Sequence, residues 1–438
     1  MKKTSKGAVL STLVALTMIG STVVAPASYS ATKPTWPSQT AKLKGVTLTM
    51  WCAAASLAIP KSVISSFERA TGAKIKVVTI PDPYESPVLA KIATGDKPDV
   101  AFWAPTVSGL TSINAKANLL PLNDAPWISS VDPALRNVFG LLGKTRYAAL
   151  IGTPNLVGMF YNKEAFAKAG ITTLPKNFTE MTAAGVKLKA AGITPFYDAA
   201  KDAWPTQFMV QSLLGDAAKS GWYQKLNSRE AKFTDPTFIN AVTTYKSLID
   251  QGLYNSDIKS GTFAAQTTAL LKGDVAMVNQ GSFLGPALLA EAGNDAAILD
   301  AKIGYFGISP TSNLTLSLPG QTDAIVAFKT GNAKREAATK QFLAYWMGKG
   351  YAAFLDDRSY ISLQPKVASP STVPKLFIQV ASGLKNSVGA IQSQALATPD
   401  IHVYLSNMIN GTMTVQEVAQ AMQTQFEQLA KAQGAKGF

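Results

Sequence analysis

From Gly45 to Pro105 the chain alternates between two kinds of segment, and that alternation limits its fold more than any other feature. Val46 to Trp51, Ala73 to Ile80 and Asp99 to Trp103 read as strands, while Pro60 to Ala70 and Ser86 to Thr94 between them read as helices. Strands that alternate with helices bury their apolar surface as a parallel sheet with helices packed on its faces. Gly72 and Gly95 follow the two helices, where a residue free to turn left-handed ends a helix.

The same grammar continues downstream. Asn162 to Ala169, Thr179 to Ala191 and Asp235 to Gln251 read as helices, the last opened by an Asp-Pro pair suited to an N-cap and first position. Val275 to Val278, Ile303 to Ile308 and Thr322 to Phe328 read as strands, and Ala333 to Met347 and Val415 to Gln433 as amphipathic helices. A chain of 438 residues is too long for one ordinary core, so two α/β lobes are expected. The 47% hydrophobic and 16% charged content fits a globular protein.

The N-terminus carries Lys2, Lys3 and Lys6, a mostly apolar run from Ala8 to Val24, and small residues from Ala25 to Ala31. This is the layout of a secretory signal peptide over residues 1–30, with cleavage after either Ala27 or Ser30. No Cys lies near that site, so no lipid anchor is expected, and the mature chain is expected as a monomer in a periplasm or outside the cell. The single Cys, Cys52, has no internal disulfide partner and reads as a small buried residue of the first strand. Residues 31–42, rich in Pro and Thr, read as a flexible leader.

Removing the three signal lysines lowers the formal charge from +14 to +11. The remaining lysines are scattered, which argues against nucleic acid as a partner. Catalytic equipment is thin: with His402 the only histidine, neither a His-based triad nor a multi-His zinc site can be assembled. No Gly-rich phosphate or dinucleotide loop is present. The expectation is therefore a protein that is not an enzyme and carries no cofactor and no metal.

Four segments give the chain a family likeness. FERATG (Phe67 to Gly72), GDKPDVAFWAP (Gly95 to Pro105), MFYNKEAFAKAG (Met159 to Gly170) and LLKGDVAMVNQGSF (Leu270 to Phe283) resemble, in that order, the family 1 extracellular solute-binding proteins of carbohydrate ABC importers. The likeness is to the maltose-binding type and spans roughly residues 45–430. It implies a two-lobe venus-flytrap fold, each lobe a mainly parallel sheet flanked by helices. It also implies three chain crossings between lobes, near Gly152 to Leu156, Pro319 to Ala324 and Ile361 to Pro365. The lobes would be 43–153 with 323–361, and 156–319 with 365–438.

A sugar site needs aromatic faces for the apolar side of a pyranose and planar amides or carboxylates for its hydroxyls. The resemblance implies Trp103, at the end of GDKPDVAFW, as the ring that faces the sugar. Trp51 and Ser56 bracket the loop after the first strand, with Trp51 equally readable as structural, and Tyr84 follows the second strand. Thr106 stands where the maltose-binding type begins an Asp-Arg pair, and Asn155 where it holds an acidic contact. Phe283 takes the place of a stacking Trp, with Gln280 just before it. Asp202 and Trp204 lie on a loop of the second lobe, and Asp323 either reaches the crevice or caps a strand.

Three departures matter for specificity. Thr106-Val107, Ala55-Ser56 and Asn155 stand where that type carries charges against sugar hydroxyls. The implied ligand is therefore a neutral mono- or short oligosaccharide rather than a long maltodextrin, passed to the transmembrane subunits of an ABC permease. The alternatives are a non-sugar solute or a secreted carbohydrate-active enzyme.

Overall fold

A computed structural model describes residues 36–53, 59–81, 84–136, 139–320 and 323–438. Its strands, in chain order, are β1 (Thr47–Ala53), β2 (Lys74–Ile80), β3 (Val100–Phe102), β4 (Leu141–Leu142), β5 (Thr145–Arg146), β6 (Ala148–Leu150) and β7 (Asn155–Asn162). They continue with β8 (Thr194–Phe196), β9 (Val275–Gly281), β10 (Ile303–Phe306), β11 (Thr315–Leu318), β12 (Ala324–Ala327) and β13 (Ser387–Gly389). Two sheets carry the fold. One has the order β2-β1-β3-β12-β6, and the other β13-β11-β7-β9-β8 with β10 also paired to β7.

Each sheet runs in one direction except for a single strand. β12 is antiparallel to both β3 and β6, while β1 is parallel to β2 and β3. In the second sheet β7 is antiparallel to β9, β10 and β11, while β11 with β13 and β8 with β9 are parallel. The reversed strands are the two that the chain enters directly from the other sheet, after β6 and after β11. A strand entered from the crossing edge has to run away from that edge. The parallel neighbours instead end there, and their following loops gather at the edge from which the chain crosses, where open α/β sheets bind ligands.

Local chemistry explains where elements stop. Gly72 adopts φ 78° and donates its N–H to Glu68 O at 2.8 Å, closing the helix Lys61–Thr71. Thr262 opens the helix Phe263–Lys272 by accepting from Ala265 N, and Thr414 with Glu417 forms a reciprocal capping box for Val415–Ala432. Asp235 precedes the helix Pro236–Asp250 as the sequence implies, but its carboxylate turns back to accept from Lys232 N at 2.7 Å. The central strand β7 is the element that periodicity misses: seven of its eight residues are buried, so NLVGMFYN carries no alternation to read.

The apolar cores follow the sheets. One gathers residues from Val46 to Ile151 and from Ala324 to Leu363, Cys52 among them. The largest core on the second sheet runs from Met159 to Ala430, with Phe196, Tyr245 and Phe426 buried in it. The segment 36–42 differs from the flexible leader expected. Trp36 packs edge-on against Trp127 with ring centroids 5.2 Å apart, Lys340 Nζ lies 5.4 Å from the Trp36 ring, and Gln341 donates to Ala41 O at 2.7 Å. One aromatic ring with a buried partner outweighs the Pro- and Thr-rich composition around it. The expected signal peptide and residues 31–35 lie outside the described residues.

Candidate ligand-binding site

At the crossing edge of the second sheet three aromatic rings stand together, each partly exposed. Trp204 follows β8, Phe283 follows β9, and Phe263 opens the helix Phe263–Lys272. The Trp204 ring centroid lies 5.2 Å from Phe263 and 5.5 Å from Phe283, with the buried Phe208 behind them at 6.0 Å from Trp204. Trp204 and Phe208 are four residues apart on consecutive helical turns, which brings their rings to one side.

Uncharged polar groups border the rings. Gln207 donates to Trp204 O at 2.8 Å, and its Oε1 accepts from Gln211 at 3.0 Å and from Gln392 at 2.8 Å. Gln392 Oε1 is buried without a hydrogen-bond partner, on the amide that donates to Gln207. Ser282 donates to Asn155 Oδ1 at 3.0 Å, and the Ser108 hydroxyl reaches across to Gln392 O at 3.4 Å, joining the helix Val107–Ser112 that follows β3 to the second sheet's body.

The residues singled out from sequence divide in two. Asn155, Trp204 and Phe283 meet at this edge. Asp202 also lies there, but its carboxylate accepts from Phe263 N at 2.7 Å and so caps the N-terminus of that helix, where negative charge is favourable. Gln280 points inward, fully buried, donating to Gln266 Oε1 at 2.9 Å. Thr106 accepts from Gly109 N at 3.0 Å as the N-cap of the helix Val107–Ser112.

On the first sheet the aromatics are packed. Trp103 is 2% exposed, and its indole N–H donates to Gly109 O at 2.6 Å. Tyr84 packs 6.2 Å from it and donates its hydroxyl to Phe102 O at 3.0 Å; burial pushes that hydroxyl far above the ordinary phenol range. Trp51 is buried in the same core, with Lys91 Nζ 5.3 Å from its ring. Ser56 lies outside the described residues.

Asp323 sits at the second crossing, beside the first. Its Oδ2 accepts from Gly320 N at 2.7 Å, and its backbone carbonyl accepts from Ile151 N at 2.9 Å. Burial pushes its carboxyl up to about 7, against the N–H groups of Gly320 and Asn155, which favour the ionised form. Tyr360 is close by, its hydroxyl raised by burial and by the Asp323 charge, and the Arg358 guanidinium lies 5.3 Å from its ring. Gly152 is required here, because a Cβ on it would come within 2.9 Å of the Tyr360 ring.

Sequence reasoning missed Phe263, Gln207, Ser282, Gln392, Arg358 and Tyr360. The spacing of Trp204 and Phe208 was a usable signal for the aromatic group, whereas Gln392 lies in a polar stretch without periodicity. Among the described residues no group of three or more His, Cys, Asp and Glu side chains could hold a metal, and no helix is long and apolar enough to cross a membrane.

Two sheet-bearing α/β bodies, linked by reversed strands and facing each other across the edge where their strands end, define the two-lobe class of solute-binding protein. The profile of the bacterial extracellular solute-binding protein family matches residues 53–353, and the chain belongs to that family. Among solved structures, a chitin oligosaccharide binding protein matches at TM-score 0.68 and 21% identity, covering 88% of this chain and 99% of that one. The apo form of RafE from Streptococcus pneumoniae matches at TM-score 0.72 and 18% identity, covering 90% and 99%. These likenesses show the fold. A curated relative, an ABC transporter extracellular-binding protein of Pyrococcus horikoshii, is 25% identical over 172 residues, 38% of this chain and 38% of its own length. The chain thus spans about two fifths of the length of that relative.

Proposed function

We propose that this chain is the extracytoplasmic receptor of a carbohydrate ABC importer, and that it captures one neutral mono- or short oligosaccharide at the aromatic edge of the second sheet. One observation carries the reading: Trp204, Phe263 and Phe283 offer partly exposed rings bordered by amides and hydroxyls, with an unpartnered acceptor on Gln392. Such rings suit the apolar face of a pyranose, and such amides suit its hydroxyls. The two nearby carboxylates are engaged within the protein, Asp202 by a helix terminus and Asp323 by Gly320 N, while Arg358 lies over the Tyr360 ring with its Nε buried and unpartnered. The groups that border the rings themselves are amides and a hydroxyl, which suits a neutral ligand. The chitin oligosaccharide binding protein, alike in fold, supports the same ligand class.

In this reading the lobes are 43–153 with 323–361, and 156–319 with 365–438, a division supported by the separate apolar cores on the two sheets. Trp51, Tyr84 and Trp103 act as packing beneath the first lobe's face. A ligand bridging the lobes favours the closed arrangement by the contacts it gains there, and the permease's transmembrane subunits recognise that shape. The mature protein is a secreted or periplasmic monomer, processed near Ala27 or Ser30 and free of a lipid anchor.

The test is a panel of neutral sugars, including D-galactose, raffinose, maltotriose and chitin oligosaccharides, read by thermal shift, calorimetry and product analysis. Saturable binding at one site per chain without turnover is expected. Stabilisation by amino acids, peptides or anions, with no response to any sugar, would overturn the proposal.

A further inference from the structure

The loop that presents Trp204 contains the most unusual backbone of the site. Ala203 adopts φ 59° and ψ −57°, and the N–H of Trp204 donates to Asp202 O at 2.7 Å. A hydrogen bond across one residue with these angles is a γ-turn of the rare, strained hand, and here the central residue is not glycine. Strain of this kind persists only where the surroundings over-determine it.

They do so on both flanks. Before the turn, Ala200 N donates to Ile258 O at 3.1 Å, Lys201 N to Gly261 O at 3.3 Å, and Ser406 Oγ to Ala200 O at 2.8 Å. The Asp202 carboxylate is tied to Phe263 N at 2.7 Å. After the turn, Thr206 donates both its N–H and its hydroxyl to Ala203 O, at 3.0 and 2.8 Å, and the hydroxyl also lies 3.2 Å from His402 O. Gln207 holds Trp204 O at 2.8 Å. Two distant segments, 258–263 and 402–406, together with Thr206 and Gln207 of the loop itself, thus hold the chain on both sides of Ala203. The ring they aim lies against Phe263 and Phe283.

We infer that Ala203 is a positioning residue: its strained turn aims the Trp204 ring across the aromatic edge and holds it in one pose before ligand arrives. The inference rests on the proposed sugar site for its purpose but not for its test. An unstrained turn at this point would let the ring leave Phe263 and Phe283, and the face offered to a ligand would exist only part of the time. Apparent affinity falls by the fraction of protein in the competent pose.

Ala203→Gly is the deciding variant, because glycine can keep the turn but equally can leave it. The full chain is labelled with 5-fluorotryptophan, and the Trp204 signal is identified by its loss in Trp204→Phe. Without any ligand, the wild type is expected to give one narrow Trp204 fluorine resonance and Ala203→Gly a broadened or split one. With the tightest-binding sugar of the panel, Ala203→Gly is expected to bind about threefold to tenfold more weakly, the loss that follows if the competent pose drops to between a third and a tenth. A single narrow Trp204 resonance in Ala203→Gly at the wild-type position overturns the inference, whatever the affinity does. If no sugar binds either protein, the sugar reading fails while the fluorine resonance still decides the positioning role.

Discussion

Trp103 and Trp204 both lie beyond the end of a parallel strand, one in each sheet, and the structure uses them in opposite ways. Each follows a parallel strand that ends at the crossing edge. Trp103 is covered by its own lobe, with its indole N–H bonded to Gly109 O and its ring against Tyr84, whereas Trp204 keeps part of its ring open beside Phe263 and Phe283. The contrast teaches that a strand end places an aromatic near the ligand edge without deciding its role. Its role is set by what covers the ring and where its polar atom goes.

The largest expected effect breaks the comparison on the side of stability. Trp103→Ala removes a buried indole and leaves a cavity, which costs about 3–5 kcal/mol for such a deletion. Urea unfolding should show most of that loss for Trp103→Ala and well under half of it for Trp204→Ala. Equal losses would mean that the two rings are equally buried in solution.

Next comes the buried carboxyl at the second crossing. Because burial raises the Asp323 carboxyl from the usual carboxylate range to about 7, the folded state holds its proton more tightly than the unfolded chain does. Its contribution to stability is therefore complete below about pH 4 and is lost as pH rises through about 7, a change of at most about 4 kcal/mol. Asp323→Asn should flatten the unfolding free energy over that window. A smaller slope should persist from Asp198, which burial raises to about 6 and which accepts from the Tyr245 hydroxyl. An unchanged slope in Asp323→Asn would show that this carboxyl titrates normally.

Smaller effects concern binding at the open ring and its border. Trp204→Ala should weaken the tightest sugar of the panel about tenfold or more, since stacking contributes ~0.5–1.5 kcal/mol beyond the area it covers. Gln392→Ala should cost roughly fivefold, the equivalent of about 1 kcal/mol for one neutral hydrogen bond. Calorimetry resolves both. A Gln392→Ala loss larger than that of Trp204→Ala would move the centre of the site from the rings to the amides.

Much of the architecture was legible because alternating periods and helix-ending glycines act locally: the first β-α-β-α-β run and the helices Ala333–Met347 and Val415–Ala432 stand within a residue or two of where the pattern sets them. β7 was not, because a strand covered on both faces has no period of its own. The site was legible to the extent that family motifs mark strand ends. Of the candidate residues, Phe283 lies in one of those motifs and Asn155 and Trp204 come from the family resemblance beside them, but the burial of Trp103 and Gln280 depends on neighbours far away in sequence. Gln392 enters the site through its bond to Gln207 and through the packing of the helix Ile391–Gln394 against the helix Val107–Ser112, contacts between residues 185 and 284 positions apart.

The central claim is that the open rings of the second lobe, and not Trp103, hold the ligand. A crystal structure of the protein with the tightest-binding neutral sugar tests it directly. The account predicts a sugar ring within ~4 Å of Trp204 and Phe283, a hydroxyl donating to Gln392 Oε1, and Trp103 still buried against Tyr84. A sugar ring stacked on Trp103, with Trp204 untouched, would contradict it.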